Sequence, residues 1–138
     1  MLINNDSSLQ MAISRKQNVA LIITDEQDGV LIAHFQGGRI IDESHIETIG
    51  KELNELLNHE KKKIILNFQN INFMSSAMIG KLIQFGKKCS NTAVELRLCE
   101  INENIQEVFD LMKLGSIFKI EKDEEAACKS LTKKSWFK

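Results

Sequence analysis

The sequence has 138 residues, with 18 basic and 19 acidic side chains and a formal net charge of −1. A chain of this length fits one folded domain and is too short for a second independent core. Binding to nucleic acid requires a basic face that neutralises several phosphates, and the dense basic runs here lie only at 61–63 and 133–134. We interpret both runs as solvated boundaries, so the composition predicts a protein without a nucleic-acid partner.

Cysteine usage and the N-terminus indicate the compartment. Cys89, Cys99 and Cys128 form no CxxC pair, and their odd number cannot complete a disulfide framework. The first ten residues lack both the basic region and the long apolar core of a signal peptide. No window approaches the roughly 18 consecutive apolar residues of a membrane span. These features predict a cytoplasmic protein that does not associate with membranes.

The N-terminal part of the chain predicts a β-hairpin. Residues 1–17 are polar with scattered apolar positions, which is compatible with a loose tail or a weak extra strand. Two apolar runs follow, at 19–23 and 30–35, and the polar segment 25–29 between them predicts the turn.

The middle of the chain predicts a helix followed by a buried strand. Residues 42 to about 59 carry apolar side chains at three- and four-residue spacing, with Asp42 or Ser44 placed to cap the helix. The run 63–68 is short and apolar, as expected for a central strand that is buried on both faces.

The second half of the chain alternates helices and strands. We predict a helix opening at Ser75 and Ser76, a strand at 94–98, a helix at 102–114 ended by Gly115, a strand at 117–120 and a helix at 123–131. We expect Ile65, Leu96 and Val108 to share one core. The order ββαβαβαβα predicts an α/β domain at 18–131, with a mixed, mostly parallel sheet, an N-terminal hairpin and about four helices. Residues 132–138 would form a C-terminal tail.

No constellation of residues predicts catalysis, a metal site or a cofactor. Ser75 or Ser76 could be combined with His34, His45 or His59 into a triad, but three scattered histidines allow this by chance. No ligand pair has zinc spacing, and the glycines at 37–38 form no phosphate-binding loop. The sequence predicts a protein that is not an enzyme, with an unrecognised hydrolase or nucleotide-binding enzyme as the remaining alternative. Trp136 is open to two interpretations, an exposed anchor for a partner or a simple tail residue.

The stretch FMSSAMIGKL at 73–82 runs from a loop after the buried strand into a helix that opens with two serines. A serine oxygen at the N-cap accepts from a free backbone N–H and stabilises a helix by about 1 kcal/mol. On local chemistry alone, capping is the favoured role for these serines.

The same stretch resembles the signature of the anti-sigma factor antagonists, which are STAS domains with an Asp-Ser-Ser-Gly-Leu-Gly-like turn at the start of a helix. The likeness extends from residues 30–53, with a strand, a Gly-x-Ile turn and a long helix, to residues 96–120, with Leu98, Cys99 and Phe118. It spans about 19–131 in all, and the order and spacing of its motifs make it specific.

The resemblance implies a protein-binding switch. The family's phosphate acceptor corresponds to Ser76, and Ser75 stands at the aspartate position, so Ser75 is the alternative acceptor. The implied partner is an anti-sigma factor that is itself a serine kinase of the histidine-kinase-like ATPase fold, and a PP2C-like phosphatase is a second partner that the resemblance implies. A STAS scaffold or sensor subunit that is not phosphorylated remains the alternative. The predicted partner-binding residues, among which Met74, Met78 and Ile79 would line an apolar contact, are Arg39, Asp42, Ser44, Asn72, Met74, Ser75, Ser76, Met78 and Ile79.

Overall fold

The computed structural model describes residues 21–40, 42–58 and 60–132. The predictions for the N-terminal tail, the histidine at 59, the basic run at 133–134 and the tryptophan at 136 fall outside these residues. The strands are β1 Ile22–Gln27, β2 Val30–Phe35, β3 Arg39–Ile40, β4 Lys63–Asn67, β5 Phe73–Met74, β6 Glu95–Cys99 and β7 Lys119–Glu121. The helices are α1 Glu43–Leu56, α2 Ser76–Asn91, α3 Glu103–Leu111 and α4 Glu124–Thr132, with a 3₁₀ turn at Leu114–Ser116.

Five of the strands form one sheet in the order β1-β2-β4-β6-β7. Only the β1–β2 pair is antiparallel, and β2, β4, β6 and β7 run parallel to one another. The predicted mixed, mostly parallel sheet with four helices is therefore confirmed. Strand β4 is the middle strand, and its apolar residues are fully buried, as the sequence predicted.

The sheet separates two hydrophobic cores. On one face, Ile64 and Leu66 of β4 pack into a large cluster with buried residues of α1, α2 and α3. On the other face, Ile65 packs in a small cluster under α4, with Ala127 and Leu131. The expectation that Ile65, Leu96 and Val108 share one core is wrong, because Leu96 contacts the large cluster and Val108 is 37% exposed.

The hairpin turn is shorter than predicted. Asp25 to Gln27 belong to β1 and pair with β2, so that the turn consists of Asp28 and Gly29 alone, with φ of 55° and 82°. Two successive residues with positive φ match the two-residue turns that suit the twist of a hairpin. Among the described strands β1 lies at the edge of the sheet, and only Ile22 in it is buried, so polar side chains are tolerated there.

The third helix also ends earlier than predicted. Helix α3 stops at Leu111, and the left-handed residue after it is Lys113, with φ of 57°, while Gly115 lies inside the 3₁₀ turn. Gly115 therefore does not end the helix.

Strands β3 and β5, which the sequence analysis did not predict, form a separate two-stranded parallel sheet. Each has only two residues, with Arg39 opposite Phe73 and Ile40 opposite Met74.

None of the helices in the described residues is long and apolar enough to cross a membrane.

Candidate functional site

The small β3–β5 sheet brings the N-termini of two helices together. Its strands are parallel, and each leads into a helix, β3 into α1 and β5 into α2. The backbone N–H of Phe73 donates to the carbonyl of Gly38 at 3.2 Å, and that of Ser75 donates to the carbonyl of Ile40 at 3.1 Å. These bonds fix the start of α2 beside the start of α1.

Asp42 caps helix α1. Its Oδ1 accepts from the backbone N–H of Ser44 at 2.9 Å and from the Ser44 hydroxyl at 2.7 Å. These two hydrogen bonds lower the pKa of the Asp42 carboxyl. Of the two candidate caps the structure selects Asp42, and Ser44 serves as its donor, so this helix begins with a negative charge on the surface.

Ser75 caps helix α2. It has an extended backbone, with φ of −75° and ψ of 165°, and its Oγ accepts from the backbone N–H of Met78 at 3.3 Å. Ser76 is the first residue inside the helix, and it is exposed, as is Ala77. The capping role considered for Ser76 therefore belongs to Ser75, while Ser76 is an exposed residue of the first turn.

The apolar residues predicted to line the contact are mostly buried. Met78 is fully buried, while Met74 and Ile79 are 7% and 3% exposed. Met74 and Ile79 line a groove of about 100 Å³ between β5 and α3, together with Phe73 and Val108. Met78 is a core residue and does not lie on that surface, because the helical period turns its side chain away from Ser76.

Two further contacts shape this surface. The guanidinium of Arg39 lies over the ring of Phe73, 4.8 Å from the ring centroid. Asn102, which caps α3 by accepting from the N–H of Ile105 at 2.9 Å, donates its side-chain amide to the carbonyls of Ile71 and Asn72 at 3.2 and 3.3 Å. Asn102 thus connects α3 to the loop before Ser75. Sequence reasoning missed this role, although an asparagine at a helix start is a recognisable signal.

The histidine of β2 and the buried cysteines do not line this groove. Nε2 of His34 lies 3.5 Å from a carboxylate oxygen of Glu124, at the α4 face of the sheet. Burial raises the pKa of the Cys89 and Cys99 thiols to about 12, which keeps them protonated and weakly nucleophilic. Within the described ranges, no group of three or more His, Cys, Asp or Glu residues could hold a metal ion.

In the described residues, a mixed sheet carries three helices on one face and one on the other, and an exposed serine lies at the start of α2. This arrangement defines a class of small α/β domain. The sequence model of the STAS domain matches residues 22–127. The chain belongs to the STAS domain family, and the resemblance predicted from the sequence is confirmed.

Individual relatives agree with this assignment. A candidate anti-sigma factor antagonist of Bordetella bronchiseptica, BtrV, is 29% identical over 103 residues, which cover 75% of this chain and 87% of the relative. An anti-sigma factor antagonist from Mycobacterium paratuberculosis has a similar structure, with a TM-score of 0.70 at 13% identity, over 79% of this chain and 91% of that one.

The structure is also similar to that of the anti-sigma factor antagonist SpoIIAA in two chemical forms. The unphosphorylated form gives a TM-score of 0.63 at 20% identity, over 80% of this chain and 95% of that one. The phosphorylated form, from Bacillus, gives 0.60 at 19% identity, over 79% and 98%. At these identities the two structures show a shared fold.

Proposed function

We propose that this protein is an anti-sigma factor antagonist that captures an anti-sigma factor and releases it when Ser76 is phosphorylated. The observation that carries the proposal is the exposed Ser76 at the first position of α2, between Met74 and Ile79, which both line the groove between β5 and α3. The similarity to BtrV and to SpoIIAA, which is known in phosphorylated and unphosphorylated forms, supports it. We place the switch in a domain of residues 18–131 that acts in the cytoplasm.

The free domain can tolerate a phosphate at Ser76. A phosphoserine adds about −1.5 to −2 charges at neutral pH. At a helix N-terminus, the free N–H groups and the helix dipole stabilise an anion by about 0.3–2 kcal/mol. The first turn of α2 contains no acidic residue that would repel the phosphate. Phosphorylation is therefore expected to leave the fold intact.

The same phosphate opposes binding of a partner. A partner that covers Ser76 together with the exposed ring of Phe73 would remove water from the dianion without replacing its interactions. An unpaired buried charge costs several kcal/mol, and about 4 kcal/mol corresponds to roughly a thousandfold loss of affinity. Phosphorylation would release the partner through this desolvation penalty.

The proposed partner is a serine kinase of the histidine-kinase-like ATPase fold, and a PP2C-like phosphatase would reverse the modification. Arg39, Asp42, Ser44 and Asn72 are exposed around the start of α1 and β5, where they could form the polar rim of the contact. Binding and release need no catalytic group in this chain. We therefore expect His34→Gln and His45→Gln variants to keep partner capture.

The proposal is tested by incubating the protein with candidate kinase-type partners and ATP, and measuring its intact mass and its affinity for the partner. We expect one phosphate on the parent and on Ser75→Ala, none on Ser76→Ala, and weak capture by Ser76→Asp. If Ser75→Ala alone blocks the modification, Ser75 is the acceptor.

A second candidate function is a scaffold or sensor subunit that binds partners without phosphorylation. The observation that favours it is Ser75, which stands where the family resemblance places an aspartate and which here acts as the N-cap. If no partner adds phosphate to either serine, and neither serine variant changes capture, the scaffold function replaces the switch.

A further inference from the structure

Helix α3 carries an apolar surface that the core does not use. Ile105 and Phe109 face the core and are buried. Val108 and Leu111 lie three residues apart on the neighbouring side of the helix, where they are 37% and 83% exposed. Met112, the C-cap residue that follows the helix, is 46% exposed. We call these three residues the α3 stripe. An apolar row at helical spacing on a surface marks an interaction site more often than an isolated exposed residue does.

The stripe is continuous with the groove beside the serine site. Val108 lines the groove together with Phe73, Met74, Ile79 and Ile105, so that apolar atoms extend from α3 to β5. Phe73 is 43% exposed and lies two residues before Ser75. A partner segment lying along α3 would therefore reach the start of α2.

The charged residues of α3 that lie beside the stripe indicate what kind of partner segment would bind there. The acidic residues of α3 are all exposed, and they are Glu103, Glu107 and Asp110. Their spacing places them on one side of the helix, next to the stripe and away from the core. We call them the acidic edge. Helix α3 contains no basic residue between its first and last positions. A segment with basic side chains along one flank would complement this edge.

We propose that the α3 stripe and the groove bind an amphipathic helix of the anti-sigma partner, with its apolar face on the stripe and basic residues against the acidic edge. This inference rests on the proposed function, because it names how the partner of that site is held. Helix-in-groove recognition commonly uses apolar anchors at this spacing. A second copy fits less well, because two α3 helices packed antiparallel about a two-fold axis would place both acidic edges on the same side, where they repel.

The test uses two synthetic amphipathic peptides of roughly four helical turns, about 14 residues. Both have a leucine face, and one is flanked by lysine while the other is flanked by glutamate. Binding to the full chain is followed by amide chemical shifts and by titration. We expect saturable binding of the lysine peptide with shifts at Phe73, Val108 and Leu111, and much weaker binding of the glutamate peptide. Binding should weaken with added salt, which screens the acidic edge.

Matched variants locate the site. Leu111→Asp should lower the affinity for the lysine peptide by at least about tenfold. Glu107→Lys should shift the binding preference towards the glutamate peptide. Ile23→Asp, at an exposed apolar residue of the edge strand β1, should leave binding unchanged. These variants do not alter Ser76, so phosphorylation can be measured separately on each of them.

Three results would overturn the inference. Equal affinity for both peptides would mean that the contact is hydrophobic and non-selective. Absence of binding would mean that the α3 stripe and the groove do not bind a helix. A concentration-dependent dimer that is lost in Leu111→Asp would identify a second copy as the occupant. Each of these results could occur whether or not Ser76 is phosphorylated, so failure here is distinguishable from failure of the switch.

Discussion

At the scale of single residues, two neighbouring serines have different environments. Ser75 has an extended backbone and holds the N–H of the buried Met78, whereas Ser76 is exposed within the first turn. Serine and aspartate are about equally good N-caps. Ser75 therefore caps α2 about as well as an aspartate would, without adding a negative charge.

This division of roles predicts different stabilities for two variants. Ser75→Ala removes the oxygen that accepts from the N–H of Met78 and should cost about 0.5–2 kcal/mol. Ser76→Ala removes no cap, and because alanine favours helix, its effect should stay within about 0.5 kcal/mol. Urea unfolding of both variants measures the difference. An equal cost for the two changes would contradict the assignment of Ser75 as the cap.

Sequence reasoning identified the serine pair and Asp42, but it could not assign burial to their neighbours. Met74, Met78 and Ile79 were expected to share one exposed contact, and only packing determined that Met78 points into the core. If the predicted N-cap is wrong by one residue, the predicted direction of every side chain in the first turn is wrong as well. The apolar periodicity of a helix does not define which residue is its N-cap.

At the scale of elements, α2 packs closely against the segment before β7. A Cβ on Gly86 of α2 would lie 2.8 Å from Cε1 of Phe118 and 3.0 Å from Cγ2 of Ile117. Phe118 is only 2% exposed, so it has little room to move. The glycine allows the helix to approach this segment.

The same helix provides a matched pair of glycine substitutions. Gly86→Ala should destabilise the protein by about 1–3 kcal/mol, because the new methyl group overpacks the Phe118 contact. Gly80→Ala, where a Cβ meets nothing within 4 Å, should stabilise it by up to about 1 kcal/mol through helix propensity. Thermal or urea unfolding measures both. If Gly86→Ala stabilises as much as Gly80→Ala, the close approach is not present in solution.

The longer elements could be predicted because their apolar periodicity covers several turns or a whole buried strand. The two-residue strands β3 and β5 could not, because neither is long enough to show alternation. The predicted first strand lay too far towards the N-terminus, because the exposed part of β1 has the composition of a turn. The capping Asn102 was passed over because its second contact, with the loop at Ile71 and Asn72, exists only in the folded chain.

At the scale of the whole molecule, the sheet separates a large core from a small one. The cluster on the α4 face includes Val30, Ile32, Ile65 and Leu131, all 1% exposed or less. Only one helix of the described chain contributes to it, so each residue there carries a large share of the packing on that face. Alternate residues of β4 face opposite cores, and a continuous apolar run does not show which residue faces which core.

We predict that Ile65→Ala will destabilise the protein by about 2–5 kcal/mol, the range for removing a large buried aliphatic side chain. Ile23→Ala, at a residue that is 44% exposed, should change stability by no more than about 0.5 kcal/mol. Chemical unfolding measures both. A cost below about 1 kcal/mol for Ile65→Ala would show that the α4 face is loosely packed, contrary to the structure.

The β3–β5 sheet also bears on the speed of partner binding. Because its backbone hydrogen bonds hold the start of α2 beside the start of α1 in the free protein, the described part of this surface is formed before the encounter. Preformed surfaces associate with rate constants of about 10⁵–10⁷ M⁻¹s⁻¹, and changes at the interface act mainly on dissociation. A phosphate on Ser76 would then act chiefly by shortening the lifetime of the complex, so that release follows modification without a preceding refolding step.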